Sequence, residues 1–300
     1  MAIPLINDTI DVERTPENPV AGLVSISEEE LPHYFVERSG RLFPAQSPLT
    51  YPLPVDEREH DTQAEVHNFV KSLTYGRCLH RLQILARRRP QLVPRVLDVG
   101  TGFGTWLTEM ARQLPQVECY GVDIVPVIDS SAPHNVVVEV PDYEKLVSDA
   151  TRALRPCGLL SISEWTRTIE MADGRDFRLH APGAHAFLTT VEGLLSDVSG
   201  IKAVIPQINR ALRGEPRLRR LITLTSPMYV GDWPQREQDK HEGTRFRYIL
   251  IEYAKSMKVF LERYLAPSVV QELISGFTVD ISTVAPLITT YYTVHAVRRA

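Results

Sequence analysis

Three cysteines in 300 residues, Cys78, Cys119 and Cys157, are odd in number and far apart. Neither a disulfide framework nor a zinc spacing can be built from them, and a reducing compartment is the expectation. No run approaches the roughly 18 apolar residues that a membrane span needs. Charge of neither sign dominates: 33 basic and 37 acidic residues leave a formal net charge of -4. That balance lacks the basic footprint of a protein that binds nucleic acid or an anionic membrane. The clusters Arg87–Arg89 and Arg217–Arg220 read as solvated helix ends. Residues Met1–Asp8 offer no basic start and no long apolar stretch, so a secretory signal is not expected. The expected location is cytoplasmic or nuclear.

What is present is an ordinary globular composition, 43% hydrophobic and 23% charged, in a chain long enough to bury a substantial core. Residues 1–55 are rich in proline, with Pro44, Pro48, Pro52 and Pro54 excluding a long helix, and read as an arm. Residues 56–92 read as a helical cover. Asp56-Glu-Arg-Glu59 has the form of a capping box, and Val66, Phe69, Val70 and Leu73 recur at helical spacing until Gly76. A second helix is expected at about Arg77–Arg88. From Val93 to Ala300 strands and helices alternate as in a doubly wound α/β sheet, with helical insertions around 183–214 and 239–275. The chain ends on Thr289–Val297, a run dominated by β-forming residues.

The most informative segment is Asp98-Val-Gly100-Thr-Gly102-Phe-Gly104, which directly follows the apolar run Val93–Leu97. A second apolar run, Val117–Val122, closes on Asp123. Glycines between strand and helix let the backbone pass close to a ligand, and a carboxylate about 20 residues on can accept from ribose hydroxyls. The pattern G-x-G-x-G is not the G-x-G-x-x-G of a pyrophosphate-binding turn, which argues against a nicotinamide-dependent oxidoreductase. A tighter turn with an acid in front suits S-adenosylmethionine, which has no phosphate. On this reading Gly100, Thr101, Gly102 and Gly104 shape the turn, Asp98 orients the pocket, Asp123 takes the ribose and Ile124 packs on adenine.

Val96–Trp106 resembles the first motif of class I S-adenosylmethionine-dependent methyltransferases. Its surroundings resemble the fungal LaeA-like group associated with secondary metabolism. The resemblance rests also on Tyr51–Glu57, His67, Arg152–Leu160 and Pro227–Pro234, and extends over about residues 33–298. It implies a Rossmann-like sheet of seven strands in the order 3-2-1-4-5-7-6, with strand 7 antiparallel. It also implies an adenine contact at the end of the third strand, where Glu139 or Asp142 stands. In one respect the chain departs from the group. The stretch from Asp123 to Pro156 is about half as long as two further strand–helix units require, so one unit is shortened. Three explanations stay open: Val136–Val140 takes the slot beside the first strand, or that slot is empty, or the chain is a shortened and impaired product. Cys157, where the group has a second glycine, reads as a tolerated small residue.

Candidate substrate-pocket residues are His67, Trp165, Tyr229 and Trp233, with His180 and His185 as weak candidates for a general base. Arg178 lies in the same stretch. His60 and His67 share a helix face but lack a third metal ligand. The expected chemistry is methyl transfer to a small-molecule acceptor, which needs alignment more than a strong catalytic group. The competing expectation is a methyltransferase-fold protein without that activity, a regulatory or binding module. A homodimer exchanging residues 1–50, or a regulatory protein partner, is compatible with the arm.

Overall fold

The computed structural model describes residues 31–45, 51–74, 83–84, 93–123, 135–137, 143–199 and 204–300. The chain divides into two compact units, Met1–Pro48 with Pro54–Glu139, and Leu49–Leu53 with Val140–Ala300. The boundary at Glu139 falls inside the stretch read from the sequence as one domain.

In the first unit a 3-10 turn, Leu31–Tyr34, leads into an antiparallel hairpin of β1 (Phe35–Arg38) and β2 (Arg41–Pro44). Its two turn residues, Ser39 and Gly40, both have positive φ, 50° and 71°, as a tight hairpin requires. Helix α1 (Glu57–Thr74) follows, and Asp56 caps it by accepting from the Glu59 amide at 3.1 Å. Asp56 also accepts from Arg41 Nη2 at 2.9 Å, which ties the hairpin to the helix start. Of the expected apolar stripe, Phe69 is buried while Val66, Val70 and Leu73 are half-buried.

Three parallel strands follow in the order β3-β4-β5: β3 (Arg95–Val99), β4 (Glu118–Asp123) and β5 (Asn135–Val137). Helix α2 (Thr105–Gln113) lies between β3 and β4 in sequence and buries Leu107 and Met110, with Leu114 just beyond its end. Gly121 on β4 permits this packing. A Cβ there would come within 2.9 Å of Leu107 Cδ2.

In the second unit β9 (Leu287–Arg298) is central and runs antiparallel to β6 (Leu159–Trp165), β7 (Glu170–Met171) and β8 (Leu218–Val230). Helix α3 (Tyr143–Ala153) precedes β6, and the short α4 (Phe177–His180) leads to α5 (Pro182–Ser199) and α6 (Val204–Gly214). Val147 of α3 and Ile208, Ala211 and Leu212 of α6 pack on Val294 and Ala296 of β9. The buried Val, Ile and Leu side chains among them each contribute roughly 1.5–3 kcal/mol, the alanines less. After β8 come α7 (Glu237–Ser256), α8 (Lys258–Leu261) and α9 (Pro267–Thr283). Helices α5 and α9 meet at Gly183 and Gly276, where a Cβ on Gly183 would stand 2.6 Å from the Gly276 carbonyl carbon.

The fold is α/β and Rossmann-like, and the strand orders β5-β4-β3 and β6-β9-β8 reproduce the expected runs 3-2-1 and 5-7-6. What is decided is one of the three explanations for the shortened stretch. β5 pairs with β4, so Val136 and Val137 do not occupy the slot beside β3. No strand among the described residues pairs with the other edge of β3. At the turn before β6, Cys157 has φ 65°. A glycine would adopt that conformation without the roughly 1–2 kcal/mol that a side chain costs. No helix among the described residues is long and apolar enough to cross a membrane.

Candidate functional site

Each glycine of the motif holds a backbone conformation that disfavours a side chain: φ is 77° at Gly100, 54° at Gly102 and 72° at Gly104. The turn is anchored to β4, because the amides of Gly100 and Thr101 both donate to the Val122 carbonyl at 2.8 and 3.1 Å. It closes when the Gly104 amide donates to the Thr101 carbonyl at 2.9 Å, and Gly104 then becomes the N-cap of α2. Strand, turn and helix thus follow one another with no residue to spare.

Asp98 and Asp123 stand at the carboxyl ends of adjacent parallel strands, where ligands of such sheets bind. Asp123 Oδ2 accepts from the Gly102 amide at 2.7 Å, so the second carboxylate faces the turn. Burial pushes the pKa of Asp98 up to about 6; the Asp123 carboxylate adds to this, and the Thr101 hydroxyl and His67 work against it. Two neighbouring carboxyl groups suit a ligand carrying hydroxyl donors and positive charge. Ile124 and Asp142, the expected adenine contacts, lie outside the described residues, as does Glu139.

His67 belongs to the same unit. Its Nε2 is 2.7 Å from Glu109 Oε2, joining α1 to α2. Glu109 also accepts from Lys71, and from Gln113 Nε2 at 2.5 Å. Burial raises the pKa of Glu109, but Lys71 and His67 outweigh it and hold the carboxyl below its usual range. Sequence reasoning missed Glu109, although its position on the polar face of an amphipathic helix was visible.

The other candidates are in the second unit. Trp165, at the end of β6, packs edge-on against Phe246 and Tyr253, with ring centroids 5.9 and 6.3 Å away. Tyr229 and Trp233 meet edge-on at 5.3 Å, and Trp233 Nε1 donates to the Leu287 carbonyl at 3.0 Å, so this pair has a packing role. His180 is exposed at the end of α4, with Nδ1 3.0 Å from the Asp176 carbonyl. His185 is half-buried beside the Phe177 ring. Arg178 is exposed and pairs loosely with Asp176 at 3.7 Å. The structure brings neither histidine to a carboxylate partner among the described residues.

A second missed residue is Glu164. Burial pushes its carboxyl above the usual range, against the pull of Arg167 and of the Trp165 amide, which donates to Oε1 at 3.1 Å. A carboxylate closing an alternating strand was the available signal.

No known family model matches the chain. It is 29% identical over 170 residues to the secondary metabolism regulator laeA of Coprinopsis cinerea, covering 48% of this chain and 42% of that protein. It is 37% identical over 95 residues to the secondary metabolism regulator LAE1 of Cochliobolus heterostrophus, covering 31% and 30%. A third relative, the protein-methionine methyltransferase laeA of Emericella nidulans, is 33% identical over 111 residues, covering 37% and 28%. The chain spans less than half the length of these relatives. Among solved structures, mycolic acid cyclopropane synthase CmaA1 complexed with SAH aligns at a TM-score of 0.39 and 13% identity, covering 82% of this chain and 90% of that one. A likeness at that level carries no argument of its own. The glycine turn, its two acids and the sequence relatives agree: the chain resembles the fungal LaeA-like methyltransferases linked to secondary metabolism.

Proposed function

We propose that the first unit binds S-adenosylmethionine and that the protein transfers its methyl group to a small-molecule acceptor. The observation that carries this reading is the turn Gly100–Gly104 flanked by Asp98 and facing Asp123. The residues fit such a cofactor. Three left-handed glycines let backbone amides approach it, and burial disfavours the charge on the Asp98 carboxylate, which a cationic group of the ligand would compensate. Asp98 accepts the ammonium group, and Asp123 accepts the ribose hydroxyls. Ile124 and Asp142 contact the adenine. When bound, S-adenosylmethionine supplies a methyl group on a positively charged sulfur, open to displacement by a nucleophile. The remaining task of the protein is to align the acceptor and exclude water.

Calorimetric titration with S-adenosylmethionine tests the binding half of this reading. Transfer of a radiolabelled methyl group to a metabolite extract tests the catalytic half. One observation favours a second reading, a methyltransferase-fold module that binds without transferring: the bare edge of β3 among the described residues. Binding without label transfer to metabolites or proteins is the outcome that selects it. The name of the Emericella relative makes a methionine thioether of a protein a further acceptor to include in that assay.

A further inference from the structure

Between α1 and α2, in the first unit, lies a hollow of about 300 Å3 whose lining does not include Asp98, Gly102 or Asp123. Apart from the His67–Glu109 pair, it is lined by His60 and Asn68 of α1 and by Thr105, Thr108 and Arg112 of α2. The α2 residues recur at three- and four-residue spacing and so share one face of that helix. Among the described residues only one carboxylate, Glu109, reaches the hollow, and it is already engaged by Lys71, His67 and Gln113. Its charge is therefore balanced from within the protein.

Every other lining group can donate a hydrogen bond, and those donors lack protein acceptors. Among the described residues Arg112 makes no ion pair, and neither the Asn68 amide nor the His60 ring makes a hydrogen bond. His60 is held instead against the Phe103 ring, with centroids 4.6 Å apart. The Thr108 hydroxyl is buried without a partner. A guanidinium, an amide and two hydroxyls, with no uncompensated acid among the described residues, are complementary to a negative ligand rather than to a cation.

We propose that this hollow binds a small oxyanion, a phosphate or a carboxylate group, with Arg112 as its cationic anchor and Asn68 and Thr105 as neutral donors. The site is separate from the glycine turn and does not depend on the cofactor reading. Calorimetric titration of the whole chain with sodium phosphate, and separately with sodium acetate at equal ionic strength, tests it. Saturable binding is expected, weakened about tenfold by Arg112→Gln, the effect of losing one charge-assisted hydrogen bond. Arg112 is exposed and without a partner among the described residues, so that variant should melt as the parent does, and Asn68→Ala should weaken binding in the same direction. Tighter binding of phosphate points to phosphate monoesters as the natural ligand, and equal binding of both anions to carboxylates. Affinity for S-adenosylmethionine should be the same in both variants. Absence of saturable binding of either anion, or binding untouched by Arg112→Gln, overturns the proposal. So does phosphate binding that S-adenosylmethionine abolishes.

Discussion

The Asp123 carboxylate, on β4, accepts a 2.7 Å hydrogen bond from the Gly102 amide in the turn that follows β3. Two residues 21 apart in sequence thereby tie the end of β4 to the turn. Asp123→Ala should weaken S-adenosylmethionine binding by about 1.5–3 kcal/mol, the range for hydrogen bonds to a charged group. Calorimetry on the folded variant measures this, and an unchanged affinity would discredit Asp123 as the ribose ligand.

Gly102→Val should abolish cofactor binding. A Cβ at Gly102 meets no atom of the described residues within 4 Å, its chain neighbours aside, so they leave that space open. The backbone penalty at φ 54° adds roughly 1–2 kcal/mol of destabilisation. Thermal melting should show that loss while calorimetry with S-adenosylmethionine shows no heat of binding.

The pKa of Asp98, pushed up to about 6 from a usual 3.8, links both folding and binding to pH. Because the folded protein favours the protonated acid, the buried charge is a full penalty above pH 6. The penalty is relieved as pH falls from about 6 toward 3.8, by on the order of 3 kcal/mol at about 1.4 kcal/mol per pKa unit. Binding of a cationic ligand follows the opposite course. Affinity for S-adenosylmethionine should be flat above pH 6 and decline below it by up to about tenfold per unit. Asp98→Asn should remove both trends, raising the melting temperature at pH 7 while weakening binding. A pH-independent affinity in the parent would show that Asp98 does not meet the ligand.

Glu109 joins α1 to α2 through His67 and Lys71. Its lowered pKa gives stability that is present above the usual value of 4.5 and lost as pH falls through the folded value. Glu109→Ala should therefore destabilise the protein by about 1–3 kcal/mol at pH 7, with a smaller difference at pH 4. Melting curves of parent and variant at the two pH values decide it; an equal difference at both would mean that the charge contributes nothing.

The bare edge of β3 has a signature in hydrogen exchange. The Glu118 amide donates to the Pro94 carbonyl and the Gly100 amide to the Val122 carbonyl, so in this parallel pair Val96 and Asp98 point their backbone groups at β4. The amides of Arg95, Leu97 and Val99 point the other way, where no described residue accepts them. Those three amides should exchange faster than those of Val96 and Asp98 in residue-resolved exchange spectra. Equal protection of all five would reveal an acceptor on that side.

Much of the first unit was legible because its signals are local. A capping Asp56, an apolar stripe on α1 and a strand–glycine–helix–strand run from Val93 to Asp123 each depend on neighbours in sequence. β9 was legible as Thr289–Val297 for the same reason, and the structure extends it to Leu287–Arg298. The third strand was not. Val136 and Val137 fit either edge of a parallel sheet by composition, and their partner is decided by backbone hydrogen bonds to residues far away in the chain.

By itself the sequence determined where the backbone must turn with positive φ and which two acids stand beside that turn, because glycine and strand propensity act over a few residues. Tertiary structure alone decided that β5 lies against β4, that Glu109 locks α1 to α2, and that burial raises the pKa of the Glu164 carboxyl. Strand pairing, ion pairing and desolvation depend on groups separated by tens of residues, and no local pattern specifies which of them meet.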